Sequence, residues 1–131
     1  TELNWRLKKS GKKVWFQPEL VASYKPRSDI KTLAKQYFEY GQWRRHVIRS
    51  HPKSIKLRQL VPPLNVITFL LGFIAGFFWT PSFIFPALYA TCTFFAAAIK
   101  AKTMKNFAYL LIIYPTLHFS WGVGFFKGVK I

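Results

Sequence analysis

Apolar and polar positions divide the chain into three unlike stretches. Between Asp29 and about Ser50 they recur at helical period. At 100° per residue, Ile30, Leu33, Ala34, Tyr37, Phe38, Tyr40, Val47 and Ile48 share one broad face, and Lys31, Lys35, Glu39, Gln42 and Arg49 share the other. Ser28 and Asp29 suit an N-cap and Pro52 closes the pattern, so one amphipathic helix is expected there. Upstream, Thr1–Ser10 reads as a helix with Leu3 and Leu7 one turn apart, and Gly11 supplies a left-handed end. Lys12–Phe16 and Leu20–Tyr24 read as two short strands separated by Gln17-Pro18-Glu19. So few residues cannot bury a core of their own, so this edge is expected to add to something else.

Downstream, residues 61–99 carry no charge. Leu64–Trp79 is an uncharged run that reaches about 18 residues with Pro62 and Pro63, just enough for a membrane helix, and Trp79 falls where aromatic belts lie. Thr80-Pro81-Ser82 makes a turn, Phe83–Ile99 a second span, and Lys100, Lys102 and Lys105 close it. Asn106–Phe126 is a third apolar stretch, interrupted by Pro115 and made less lipid-like by His118, Ser120, Gly122 and Gly124. It either crosses or bends at Pro115 and runs along the interface. The expected fold is a mainly α membrane protein: a short α/β edge remnant over residues 1–27, an amphipathic interfacial helix region over 28–61, and two or three transmembrane helices over 62–131.

Charge narrows the partners. Twenty Lys and Arg face four Asp and Glu, a net charge of +16, which suits nucleic acid or an anionic membrane surface. Fifteen of the basic residues and all four acids precede residue 61. A basic segment abutting a long uncharged one is a membrane layout, so membrane lipids are the expected partner and nucleic acid is not. Positive loops stay cytoplasmic. The basic N-terminal part and the 100–105 loop are therefore placed inside, with the turn of a helical hairpin outside. A third crossing would leave Lys127 and Lys130 outside, against that rule. The sole cysteine, Cys92, offers neither a disulfide nor a thiolate metal site. A start without Met, inside a helical pattern, suggests a fragment.

Two residues interrupt the apolar face of the 29–50 helix. Gly41 costs about 1 kcal/mol of helix propensity relative to alanine. Arg44 needs an acceptor or an anion, because a guanidinium is expensive to bury alone. Gln36, Tyr40, Trp43 and Val47 line the edge beside it. Two readings are open: an interfacial helix whose arginine snorkels to lipid phosphates, or a polar site able to hold an anionic or sugar group. Catalytic groups are few. Glu2, Glu19, Asp29 and Glu39 form no acid/base or metal pair, and His46, His51 and His118 form no zinc motif. His118 is a candidate membrane-embedded polar site, because ionisable groups in apolar segments tend to be functional.

Several segments together resemble the carboxyl-terminal third of membrane-bound family 2 glycosyltransferases of the succinoglycan-biosynthesis type. Thr1-Glu2-Leu3-Asn4-Trp5-Arg6-Leu7 is similar to the end of an E-D-x-E-L-N-x-R-L motif, and Lys13–Arg27 to the strand and Y-x-P-R sequence after it. Gln36-Tyr37-Phe38-Glu39-Tyr40-Gly41-Gln42-Trp43-Arg44 is similar to a Q-Y-x-x-Y-G-x-W-R helix. Leu57–Pro63 and His118–Phe125 also fit the type. The resemblance implies sugar transfer from a nucleotide-sugar donor to a lipid-linked or polysaccharide acceptor at the cytoplasmic face of a bacterial-type inner membrane, by a multi-pass protein. Residues 1–27 would then be the C-terminal edge of a nucleotide-sugar-binding α/β domain. The resemblance also implies a divalent metal, Mg or Mn, held by a D-x-D motif, and a general-base Asp. Both would lie before Thr1, so no catalytic residue or cofactor is assigned within the chain. Gln36, Tyr40, Trp43 and Arg44 are the implied substrate-binding residues. A literal Q-x-x-R-W pattern is not matched, which favours single-sugar addition over polymer synthesis. The contrasting reading is a small non-catalytic basic membrane protein that binds anionic lipids or a partner subunit.

Overall fold

A computed structural model of the chain describes residues 2–13, 15, 17–23 and 29–129. Helix α1 (Glu2–Lys9) ends as expected at Gly11, whose φ of 74° lets Lys12 N–H return to the Leu7 carbonyl at 3.0 Å. The α/β edge expected next is not present: among the described residues there is no strand, and the fold is mainly helical. Trp15, Leu20 and Val21 find, among the described residues, no neighbouring strand to complete a hydrogen-bond ladder and no surface to cover. Trp15 and Val21 are accordingly 89% and 94% exposed, and a turn brings Leu20 N–H to the Gln17 carbonyl at 3.2 Å. Val14, Phe16 and Tyr24, on which part of that expectation fell, lie outside the described residues, as does Ser28.

Helix α2 (Ile30–Ser50) begins where the Asp29 carboxylate accepts from Thr32 N–H at 2.8 Å and from the Thr32 hydroxyl at 2.6 Å. Two 3-10 turns, Pro52–Ser54 and Leu57–Gln59, lead to α3 (Val61–Gly76). A further turn, Thr80–Phe83, runs into α4 (Ile84–Lys100), and Thr103 caps α5 (Met104–Lys127) by accepting from Asn106 N–H. Among the described residues two helices are long and apolar enough to cross a membrane, Thr80–Lys100 and Met104–Lys127. The first expected span is shorter than its apolar run. The backbone turns at Phe77–Trp79, so α3 keeps 16 residues. That is a rise of about 24 Å against a hydrocarbon core of about 30 Å. Pro115 does not break α5, and the Thr116 hydroxyl adds a bond to the Ile112 carbonyl at 2.7 Å in the same turn.

Close backbone approaches set the packing. Helices α3 and α4 form an antiparallel hairpin, with Gly72 against Phe85 and Gly76 against the Phe83 ring. Edge-to-face rings fill the space between helices, with Phe69 5.0 Å from Phe119 and 5.8 Å from Tyr89. Helix α5 runs obliquely across this hairpin. Phe107, near its start, meets Phe94 on α4, whereas Gly122, near its end, meets Pro62 and Val66 at the start of α3. Helix α2 lies along α5 in the same direction. Phe38 backs onto Gly124, and Gly41 onto the backbone of Trp121 and Phe125. Large apolar side chains are exposed along α3, α4 and the turn between them, where Phe78 is 90% exposed, while among the described residues the buried apolar set is small: Val47, Val66 and Ala97. Such a surface suits a hydrocarbon solvent far better than water.

Candidate functional site

The middle of α2 carries the polar and aromatic groups singled out in the sequence. Gln36 Nε2 donates to the Tyr40 hydroxyl at 2.7 Å, one helical turn away. The Tyr37 and Tyr40 rings stand 5.6 Å apart, and Trp43 meets His46 edge-on at 5.8 Å. Tyr40 and Trp43 are 50% and 57% exposed, so both aromatic faces are open for contact.

Arg44 goes elsewhere. Its Nη2 donates to the Ser54 carbonyl at 2.5 Å and to Gln59 Oε1, which also accepts from Lys56 N–H. The guanidinium therefore ties α2 to the two turns that feed α3. Its Nε is buried and makes no hydrogen bond, and burial holds its pKa below the ordinary arginine value. Both acceptors are neutral, so the positive charge keeps its capacity for an anion. Sequence reasoning identified Arg44 as the odd residue on the apolar face but had no means of finding Ser54 and Gln59, which fold back from ten and fifteen positions later.

Neighbouring cations close the other side of α2. Arg45 Nη1 donates to the Phe126 carbonyl and, at 3.4 Å, to that of Phe125, while Gln42 Nε2 donates to the Gly128 carbonyl at 2.8 Å. These donors meet the otherwise unpaired carbonyls at the negative end of α5. Lys127 Nζ stands 5.5 Å above the Phe38 ring.

His118 belongs to a different place. Its Nδ1 lies 3.2 Å from the Tyr89 hydroxyl on α4, within the α3–α4–α5 group. Tyr89, Asn65 and Arg58 line the same cavity as His118, and sequence reasoning did not single them out. Asn65 was legible in principle, as a lone amide in an otherwise apolar run.

The residues present do not fit the implied divalent metal. Among the described residues no three His, Cys, Asp or Glu side chains come together. Asp29 is committed to its cap, where the Thr32 hydroxyl holds the carboxyl below its usual range. Metal chemistry is accordingly not assigned to these residues.

Over 61 residues, 47% of its length, the chain is 36% identical to the succinoglycan biosynthesis protein ExoA of Rhizobium meliloti (strain 1021). That match takes in 18% of the relative's own length, so the likeness is a partial homology to a much longer protein. No family model matches the chain, and no solved structure matches it.

Proposed function

We propose that this chain is the membrane-associated part of a glycosyltransferase that moves a sugar from a nucleotide-sugar donor to a lipid-linked or polysaccharide acceptor at the cytoplasmic membrane face. The observation that carries the reading is the 36% identity over 61 residues to a succinoglycan biosynthesis protein. In this reading α2 is the floor on which donor and acceptor meet. Tyr40 and Trp43 offer exposed rings to a sugar and Gln36 orients the Tyr40 hydroxyl, while Arg44 holds the 52–59 turns behind that surface and lends it unneutralised positive charge. Catalytic base and metal are not drawn from this chain.

The same reading takes its membrane placement from α2. Lys31, Lys35, Glu39 and Arg49 are exposed along its length and are costly in hydrocarbon, which supports an interfacial position for α2. Helix α5 is bound to it from Gly41 to Arg45 and begins beside Lys100, Lys102 and Asp29. Both ends of α5 thus stay with charged residues. We read it as lying along the cytoplasmic face, which also keeps Lys127 inside. Impermeant thiol labelling tests this in a Cys92→Ser background. A cysteine at Lys127 should react in inside-out vesicles only, and reaction from the outer side would refute the placement.

The functional test uses the natural gene product in membranes supplied with radiolabelled nucleotide sugars. Label is expected in lipid-extractable or polymeric material, and Trp43→Ala is expected to lower incorporation at least tenfold while membrane insertion stays unchanged. No gene-dependent incorporation with any donor would leave the non-catalytic lipid-binding reading in its place.

A further inference from the structure

Away from the α2 face, a cavity of about 520 Å³ opens between the start of α3, the second half of α4 and the middle of α5. Its size falls within the range of small-ligand sites. Arg58, which is exposed, lines it together with Asn65, Tyr89, Thr93 and His118. The Tyr89 ring is itself held edge-on against Phe69 and Phe119.

Polar groups are costly among helices whose other surfaces are apolar, and this wall gathers several. Tyr89 and His118 satisfy one another at 3.2 Å. Asn65 does not: its Nδ2 is buried and makes no hydrogen bond. An amide donor without an acceptor and a guanidinium lining the same cavity ask for a ligand rich in acceptor oxygens. The remaining wall, with Val61, Pro62 and Ala96, asks for an apolar part on the same molecule. Arg58 belongs to the basic stretch preceding the uncharged one, so its guanidinium lies at the level of lipid head groups.

We infer that this cavity binds an anionic lipid whose head group is a phosphate monoester. The phosphate pairs with Arg58, an oxygen near the head accepts from the Asn65 amide, and the first part of the chain lies against Pro62 and Ala96. The site stands on the cavity's own residues and not on sugar transfer, so either assignment can fail without the other.

Cys92 lines the cavity and is exposed, which makes its thiol a reporter. The natural gene product is placed in phosphatidylcholine nanodiscs with or without dioleoyl phosphatidic acid, and alkylation of the Cys92 peptide is followed by mass spectrometry. Phosphatidic acid is expected to slow alkylation severalfold. Arg58→Ala should weaken that protection on the order of tenfold, the loss of one charge-assisted hydrogen bond. Asn65→Leu should also weaken it without lowering the melting temperature, because it removes an unpaired buried donor. Inorganic phosphate alone is expected to give no protection. Protection by inorganic phosphate to the same degree would replace the lipid with a free anion and overturn the assignment. So would equal alkylation rates in the two membranes, or full protection in both variants.

Discussion

Alanine at Gly41 should destabilise the protein while stabilising the isolated helix. A Cβ there would overlap the Trp121 carbonyl oxygen and stand 2.7 Å from Phe125 N and 3.0 Å from the Trp121 carbonyl carbon. Ordinary contact begins near ~3.5 Å. All three obstacles are backbone, so no side chain can swing aside and the helices must part at their crossing. Overpacking of this kind costs about 1–3 kcal/mol, and rigid obstacles place it at the upper end. The helix-propensity gain of Gly→Ala offsets about 1 kcal/mol. The net loss expected is therefore about 2 kcal/mol.

Two measurements separate these terms. Circular dichroism of a peptide spanning residues 29–51 should show more helix with Gly41→Ala. Denaturant unfolding of the protein in detergent, followed by tryptophan fluorescence, should show a lower midpoint. Gly124→Ala attacks the same crossing from α5, where its Cβ would stand 2.8 Å from the Phe38 carbonyl carbon. The double variant should lose less than the two single losses combined, since one separation relieves both clashes. A raised midpoint for Gly41→Ala would refute the crossing, and with it the alignment of α2 on α5.

Other perturbations address the remaining joints. Arg44→Ala should free the 52–59 turns and cost about 2 kcal/mol, with Arg44→Lys recovering only part, read by limited proteolysis between α2 and α3. Tyr89→Phe should cost about 0.5–1.5 kcal/mol by removing the partner of His118, measured by thermal denaturation in detergent. Asp29 is held below its usual range by the Thr32 hydroxyl and N–H, so its folded pKa lies under the unfolded value of about 3.9. The cap is therefore fully effective above that value and is lost as pH falls through the folded pKa. Hydrogen exchange at residues 31–33 should accelerate only in that acid range, and Asp29→Asn should remove the pH dependence.

What the sequence made legible was local. The bounds of α2 followed from Asp29 and Pro52, because a cap and a helix-breaker act within one turn. The strands at 12–24 were misread because β-type residues record a preference that only a neighbouring strand can realise. Gly41 was recognised as a cost to its helix, whereas its role is an approach to Trp121 and Phe125 some eighty positions later. Arg44 stood out for the same reason and was equally incomplete, since its acceptors Ser54 and Gln59 meet it only once the chain has turned. The candidate surface was visible as Tyr40 and Trp43, but the second cavity was not. Arg58, Asn65, Tyr89 and His118 come from four separate segments, and no spacing connects them.

Helix α5 shows why such pairings matter beyond stability. Its own residues permit two fates, because an apolar helix of 24 residues is long enough to cross and Pro115 need not stop it. Nothing within it decides between them. In the proposed placement the decision comes from α2, whose charges bar it from hydrocarbon and whose Gly41 and Arg45 hold the far end of α5 at its side. A helix that crossed would have to drag Lys31, Lys35 and Arg49 inward or break the glycine crossing, and the second is the less costly. The Gly41→Ala variant therefore bears on topology too. If the crossing is what keeps α5 at the interface, loosening it should increase labelling of a cysteine at Lys127 from the outer side. If labelling stays confined to the cytoplasmic side when the crossing is weakened, the proposed interfacial position of α5 would rest on its own residues, with the basic pair Lys105 and Lys127 at its ends as the remaining cause.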